Sequence, residues 1–296
     1  MKVLITGGTG FIGRALCHAL VERGDRVWVY SRQPKRVAGL CGPAVGVLEN
    51  LDDAGSLAAD VVINLAGESI AGGLWTRSRK QKLRDSRIAL TDRLCESLSR
   101  GQPPAVFVTG SATGFYGDGG NTLLTEQQQP CSTGFAQQLC ADWERSADHM
   151  DNPATRIIKL RIGLVMGPGG GFLAPLKIPF KLALGGRLGS GQQWMSWISR
   201  QDLVNAILFL IDNETCAGAY NAVAPQPVTN AEFTRELGNA LHRPTVLPVP
   251  AFVLKTLLGE LSSLLLEGQR AIPARLQDAG FNFVHENLAG ALREAI

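Results

Sequence analysis

Tyrosine is scarce in this chain of 296 residues: only Tyr30, Tyr116 and Tyr220 occur, and aromatic residues make up 6% of the total. The four histidines are isolated from one another. The six cysteines, at 17, 41, 95, 131, 140 and 216, form no C-x-x-C pair. That pattern leaves no zinc or other metal site to expect and points to a reduced, cytoplasmic protein. No stretch approaches the roughly 18 consecutive apolar residues that a membrane span needs. The first apolar stretch, residues 3–5, runs straight into glycines, with no signal-peptide pattern around it. A net charge of +3, with basic residues spread along the chain, argues against a nucleic-acid partner. The pattern carries no sign of the oligomeric state.

What remains is an ordinary globular composition, 45% hydrophobic and 19% charged, rich enough to bury a sizeable core. Short apolar, β-branched runs at 2–6, 26–30, 61–65, 105–109 and 156–160 read as strands. Between them, periodic patterns predict helices over 11–23, 75–100 and 135–149. Strand–helix alternation over the first 165 or so residues predicts an α/β fold, a doubly wound parallel sheet with helices on both faces. Beyond Gly171 the pattern turns helical, at 172–184, 201–212 and 230–241, the last with Thr229 as N-cap. A proline-rich connector at 244–250 leads to a tail read as mostly helical.

The string Gly7-Gly8-Thr9-Gly10-Phe11-Ile12-Gly13 follows the first strand and opens the first helix. Glycines at 7, 10 and 13 suit a tight turn, close approach of the backbone to a diphosphate, and tight helix–sheet packing. The helix N-terminus supplies free N–H groups and partial positive charge. The second strand ends Tyr30-Ser31-Arg32 with no acidic residue beside it. An NAD-binding protein usually has an acid there, on the ribose hydroxyl. Ser31 and Arg32 instead suit a 2′-phosphate, and Lys35 and Arg36 add positive potential. NADP(H) is therefore expected in preference to NAD(H).

Gly7–Gly13 together with Asn64-Leu65-Ala66-Gly67 resembles the extended and atypical short-chain dehydrogenase/reductases, the group of sugar-nucleotide epimerases. Ser111-Ala112-Thr113-Gly114-Phe115-Tyr116-Gly117, Thr125-Glu126 with Pro130, and Trp197-Ile198-Ser199-Arg200-Gln201-Asp202 are similar to further segments of that group, in order. At finer grain, Glu68, Asp142-Trp143-Glu144 and Leu266-Glu267-Gly268-Gln269 resemble an epimerase-family branch. The resemblance implies a Rossmann-type doubly wound sheet with a small, mostly helical substrate lobe. It places an NAD(P)-binding domain at 1–225, with lobe segments from about 172, and a C-terminal segment of unassigned role at 246–296. It implies cofactor contacts from Gly7, Gly10, Phe11, Ile12, Gly13, Ser31, Arg32, Leu65, Ala66 and Gly67, and from Val165 beside the nicotinamide.

The chain departs from that group where the chemistry is done. The group uses a Tyr-x-x-x-Lys pair, the lysine lowering the tyrosine pKa so that the phenol works as acid or base. Here four residues after each tyrosine stand Pro34, Gly120 and Ala224, and no lysine occurs between Lys82 and Lys159. Phe135 and Leu139, or Ala136 and Cys140, hold the pair's places. Arg87 holds the place of a fourth residue, an asparagine. Lys82 and Arg87, about one turn apart, are candidates to reach a cofactor phosphate or ribose. Ser111 is the candidate to orient a substrate oxygen, with Thr113 as its alternative, and Tyr116 the candidate acid. Glu68 is either a base, a ribose ligand or a helix-terminal charge. Trp194, Trp197, Phe172 and Phe180 form either an aromatic pocket or plain core. Two functions fit: an NADP(H)-dependent oxidoreductase or epimerase on a small carbonyl or sugar-nucleotide-like substrate, or a binding protein that senses NADP(H) without turnover. A weaker third is a scaffold whose C-terminal segment binds a partner.

Overall fold

The computed structural model describes residues 1–150 and 152–296. Five strands, β1 (Lys2–Thr6), β2 (Arg26–Tyr30), β3 (Gly46–Leu48), β4 (Val61–Asn64) and β5 (Val106–Ala112), join two later ones, Arg156–Ile162 and Gly218–Ala222. Across the sheet the order is Gly218–Ala222, Arg156–Ile162, β5, β4, β1, β2, β3. Every pairing is parallel. The chain is therefore a doubly wound, Rossmann-type α/β fold, as the strand–helix alternation predicted. Thr6 pairs with both Tyr30 and Asn64, and Asn64 with Thr109. The carboxyl ends of the central strands thus finish in one row, where the winding reverses and a crevice opens.

Apolar side chains explain the layers. Val3, Ile5, Val27, Val29, Val61 and Ile63 bury one face against α1 (Phe11–Glu22) and the helix Arg200–Asp212. Leu4, Val62 and Phe107 bury the other against Leu94 and Leu98. The helix predicted at 75–100 is present, but as Arg77–Arg84 and Leu90–Ser99 with a wider π turn at Asp85–Ala89 between them. Such turns recur at functional positions because one extra residue re-aims the side chains. The helix Asn230–Leu241 starts at Thr229 with a full capping box to Glu232.

The tail is less helical than expected. Between helices at Ala251–Leu258 and Ala274–Asp278, residues Arg270–Ala271 pair in parallel with Leu123–Leu124. The tail is also stitched to the rest at several points. Ser196 Oγ donates to the Gln269 carbonyl at 2.7 Å and accepts from Ala271 N–H at 2.9 Å. Asn221 Nδ2 donates to the Ile272 carbonyl at 2.9 Å. Leu288, Ala291 and Leu292 of the last helix enter a second core with Trp197, Phe180 and Phe233.

Asp202 is fully buried and ties this tail down. Its carboxylate accepts from Ser199 Oγ at 2.7 Å, Val284 N–H at 2.7 Å and His285 N–H at 3.0 Å. Asp202→Ala leaves these donors without a partner, so it should cost about 2–4 kcal/mol. Urea denaturation measures the loss, and limited proteolysis should cut the 280–296 region first.

Candidate functional site

A groove with about 1190 Å³ of empty space lies over the carboxyl ends of β1, β2 and β4. Gly7, Thr9 and Gly10 form its floor, Tyr30 to Gln33 one wall, and Leu65, Ala66, Gly67 and Leu90 the other. Two glycines make this shape possible. Gly7 has φ +75°, and a Cβ there would sit 2.6 Å from the Leu65 carbonyl oxygen. At Gly13 a Cβ would sit 2.3 Å from the Gly7 carbonyl oxygen. Any side chain at either position would push the turn off the helix start. Gly10, the N-cap of α1, has no side chain to cap the first-turn amides, which leaves them available to an anion.

Buried polar groups fix the groove's inner edge. Thr6 Oγ1 donates to Asn64 Oδ1 at 2.6 Å, and Asn64 Nδ2 donates to Thr91 Oγ1 at 2.7 Å. Trp143 Nε1 donates to the same hydroxyl at 3.2 Å. Thr91 Oγ1 in turn donates to the Arg87 carbonyl at 2.6 Å. This chain of bonds carries order from β1 through β4 to the π turn.

Of the residues expected at a cofactor, Gly7, Gly10, Ser31, Arg32, Leu65, Ala66 and Gly67 line the groove, and Thr9, Tyr30, Gln33 and Leu90 join them. The others stand elsewhere. Gly13 is buried in the packing behind the floor. Phe11 is half-buried beneath Gly170 and Gly171, with the Arg200 guanidinium 4.8 Å from its ring centre. Ile12 packs on the sheet core, and Val165 lies within it. Lys82 is exposed on its helix. Arg87 acts as a brace. Its Nη2 donates to the Glu68 carbonyl at 2.9 Å, and its guanidinium fills the space beside Gly67 where a Cβ would come within 2.9 Å. Burial lowers its pKa from the usual arginine value.

Glu68 bridges the walls: its carboxylate meets Arg32 Nη2 at 3.1 Å and Arg79 Nη1 at 3.3 Å. Hydrogen bonds from Arg32 and then Arg79 hold the carboxyl below its ordinary 4.5. The carboxylate, and with it the bridge, is fully formed above that value and fades only as pH falls beneath it.

The residues proposed for chemistry sit in a buried network. Pairing of β5 with Arg156–Ile162 sets Ser111 beside Arg161. Arg161 grips Glu144 with two hydrogen bonds, at 2.9 and 3.0 Å, and both side chains are 7% exposed. Ser111 Oγ donates to Glu144 Oε1 at 2.8 Å. Tyr116, expected as an acid, is wholly buried. Its hydroxyl accepts from Arg161 Nη1 at 3.0 Å, and Asn221 Oδ1 and the Thr125 carbonyl lie at 2.7 and 3.0 Å to take its proton. Burial pushes its pKa further above the ordinary phenol value. In this arrangement the phenol ties core to tail and has no face toward a ligand.

The places of the missing Tyr–Lys pair are sealed. Phe135 packs edge-on to Trp75 at 5.0 Å, and Leu139 is buried with Leu83 and Leu261. In the shifted register, burial pushes the Cys140 thiol up to about 12, so it is no nucleophile at neutral pH. Lys80 reaches over the Phe135 ring, 4.9 Å from its centre, and pairs with Glu260 of the tail. Periodicity gave no hint of that role, because the lysine's partners come from distant segments.

A second, smaller cavity lies between Thr113, the 164–196 region and the tail at 264–269. Trp194 and Phe172 line it, whereas Trp197 and Phe180 are core. The four aromatics thus divide between the two roles weighed for them.

Glu144→Gln removes the countercharge of a buried arginine and should cost about 3–5 kcal/mol. Tyr116→Phe removes only a hydroxyl and should cost about 1–2 kcal/mol. Chemical denaturation of both variants, with dinucleotide titration below the transition, separates a structural from a catalytic part for these groups.

Residues 3–222 match the NAD dependent epimerase/dehydratase family, and residues 249–295 match a domain of unknown function, DUF1731. Epimerase family protein ML0860 of Mycobacterium leprae is 40% identical over 99% of this chain and 95% of its own length. The chloroplastic homolog of epimerase family protein SDR39U1 from Arabidopsis thaliana is 35% identical over 99% of this chain and 86% of its own. The crystal structure of human epimerase family protein SDR39U1 with NADPH superposes with TM-score 0.92 at 33% identity, covering 100% of this chain and 99% of that one. UDP-glucose 4-epimerase of Thermotoga maritima, solved with UDP-glucose, shares the fold at TM-score 0.79 and 17% identity, over 100% of this chain and 97% of its own. With glycine turn, groove and relatives in agreement, this chain belongs to the NAD dependent epimerase/dehydratase family.

Proposed function

We propose that the protein is an NADP(H)-dependent oxidoreductase of epimerase type, acting on a small carbonyl or hydroxyl compound. The observation that carries this reading is the groove itself. It offers uncapped amides in the first turn of α1, after Gly10, at one end, and Ser31 with Arg32 on the wall at the other. That donor set fits a dinucleotide whose adenosine ribose bears a phosphate. The NADPH in the human relative's crystal structure supports the same cofactor.

When bound, the nicotinamide gives or takes a hydride. The chain's own part is binding and orientation. Amides at 11–13 hold the diphosphate, and Ser31 with Arg32 holds the 2′-phosphate. Ser111 Oγ, fixed by Glu144, keeps lone pairs for a substrate hydroxyl. Thr113 lines the second cavity directly and is the better placed of the two to orient a substrate oxygen. Burial of Tyr116 and the phenylalanine at position 135 favour one alternative, an NADP(H)-binding sensor without turnover.

Titration of NADPH and NADH, followed by nicotinamide fluorescence, tests the cofactor. Arg32→Ala should raise the Kd for NADPH about tenfold, the worth of one charge-assisted phosphate contact, and leave NADH unchanged. A carbonyl panel followed at the NADPH absorbance tests turnover. Consumption lost in Thr113→Ala or Ser111→Ala identifies the enzyme, and tight binding without consumption identifies the sensor. A protein that answers to neither dinucleotide refutes both.

A further inference from the structure

The cavity beside Thr113 is walled in part by the tail, and its chemistry narrows what it can hold. Among the described residues that line it, Glu267 is the one ionisable side chain. The remaining polar groups are neutral: Thr113, Gln193, Asn230 and Gln269 are the principal ones, set among leucines, Phe172 and the Trp194 indole. Gln193 Nε2 donates to the Leu188 and Leu265 carbonyls at 3.0 and 2.8 Å, an arrangement that turns its amide oxygen free for a donor. Gln269 is held by Thr113 Oγ1 at 3.4 Å and by its own bond to the Gly117 carbonyl at 2.8 Å.

A nucleoside diphosphate brings at least two negative charges. Desolvating them requires cations or several convergent amides, because an uncompensated buried charge is very costly. This cavity offers a carboxylate instead. Glu267 stands exposed at the rim, where partial desolvation and the nearby charge of Asp118 outweigh Lys255 and hold its carboxyl above its ordinary value, so the carboxylate opposes a further anion and favours a cation or hydroxyl donor. Arg270 lies beside the wall, stacked 4.5 Å from the Trp194 ring centre, and its Nε is buried without a hydrogen-bond partner. It is the group that an anionic ligand would have to recruit.

We infer that this cavity takes a small, phosphate-free ring compound bearing hydroxyl or amino groups, and not a nucleoside diphosphate sugar. An aromatic wall, neutral amides and one carboxylate match an apolar ring with polar substituents. The tail thereby contributes to specificity through the Leu266–Gln269 turn: at Gly268 a Cβ would lie 2.4 Å from the Trp194 backbone, so this turn is pressed against the opposite wall. The inference rests on the oxidoreductase reading, with the cavity as substrate pocket.

The test uses the full chain saturated with NADPH. Saturation-transfer NMR and calorimetry are run with trans-4-aminocyclohexanol, UDP and UDP-glucose as probes. The aminoalcohol should bind in the millimolar range, and Glu267→Gln, at the rim, should weaken it about fivefold, the worth of a partly exposed ion pair. Leu265→Trp, which fills the cavity, should abolish binding while the melting temperature checks folding. UDP and UDP-glucose should give no response. Binding of UDP or UDP-glucose, an aminoalcohol affinity unchanged by Glu267→Gln, or no binding of the aminoalcohol at all overturns the inference. Failure of NADPH itself to bind the same sample overturns the oxidoreductase reading instead, so the two failures are told apart.

Discussion

Main-chain atoms meet main-chain atoms at the turn between β1 and α1, and the function proposed above needs that contact. Gly7 lies against Leu65 of the neighbouring loop, and Gly13 lies against Gly7 and Gly8. Only because these positions carry no side chain can the helix begin directly above the sheet's switch point. The groove floor, the free amides and the opposing wall at 65–67 all follow from that approach. The polar chain Thr6–Asn64–Thr91 then locks β1, β4 and the helix Leu90–Ser99 together from below. Backbone approach and buried hydrogen bonds thus specify one geometry from two directions.

Packing residues occupy the places beside the groove where the family pattern has its Tyr–Lys pair. In the pattern this chain resembles, a tyrosine and a lysine face the cofactor. Here a phenylalanine and a leucine close that space, and a fixed arginine–glutamate pair lies beneath it. A buried pair of this kind contributes little net stability relative to a hydrophobic substitute, yet removing one member is very costly. It holds Ser111, Tyr116 and Asn221 in a single arrangement, and through Asn221 it reaches Ile272 in the tail.

The sequence revealed features that depend on local pattern. The glycine turn, the helix with its N-cap at Thr229 and five sheet strands could be read from periodicity, glycine spacing and β-branched runs. Two strands were missed for physical reasons. Gly46–Leu48 is three residues long, and Gly218–Ala222 reads Gly-Ala-Tyr-Asn-Ala, with no β-branched residue to mark it. The fate of Tyr116 was also hidden, because its partner Asn221 is 105 positions away. The second cavity was illegible for the same reason: Thr113, Trp194 and Glu267 meet only through tertiary contact. Arg32 stood out as a candidate beside the second strand, but its bridge to Glu68 did not.

The stitching of the last fifty residues into earlier segments bears on how the protein is made. Leu123–Leu124 waits for Arg270–Ala271, Ser199–Asp202 for Val284 and His285, and the second core for Leu288 and Leu292. On the ribosome, the residues that line the first groove, 7–90, emerge early, whereas the wall of the second cavity at 264–269 emerges late. The lining of the first groove is therefore synthesised long before the second cavity can be walled in.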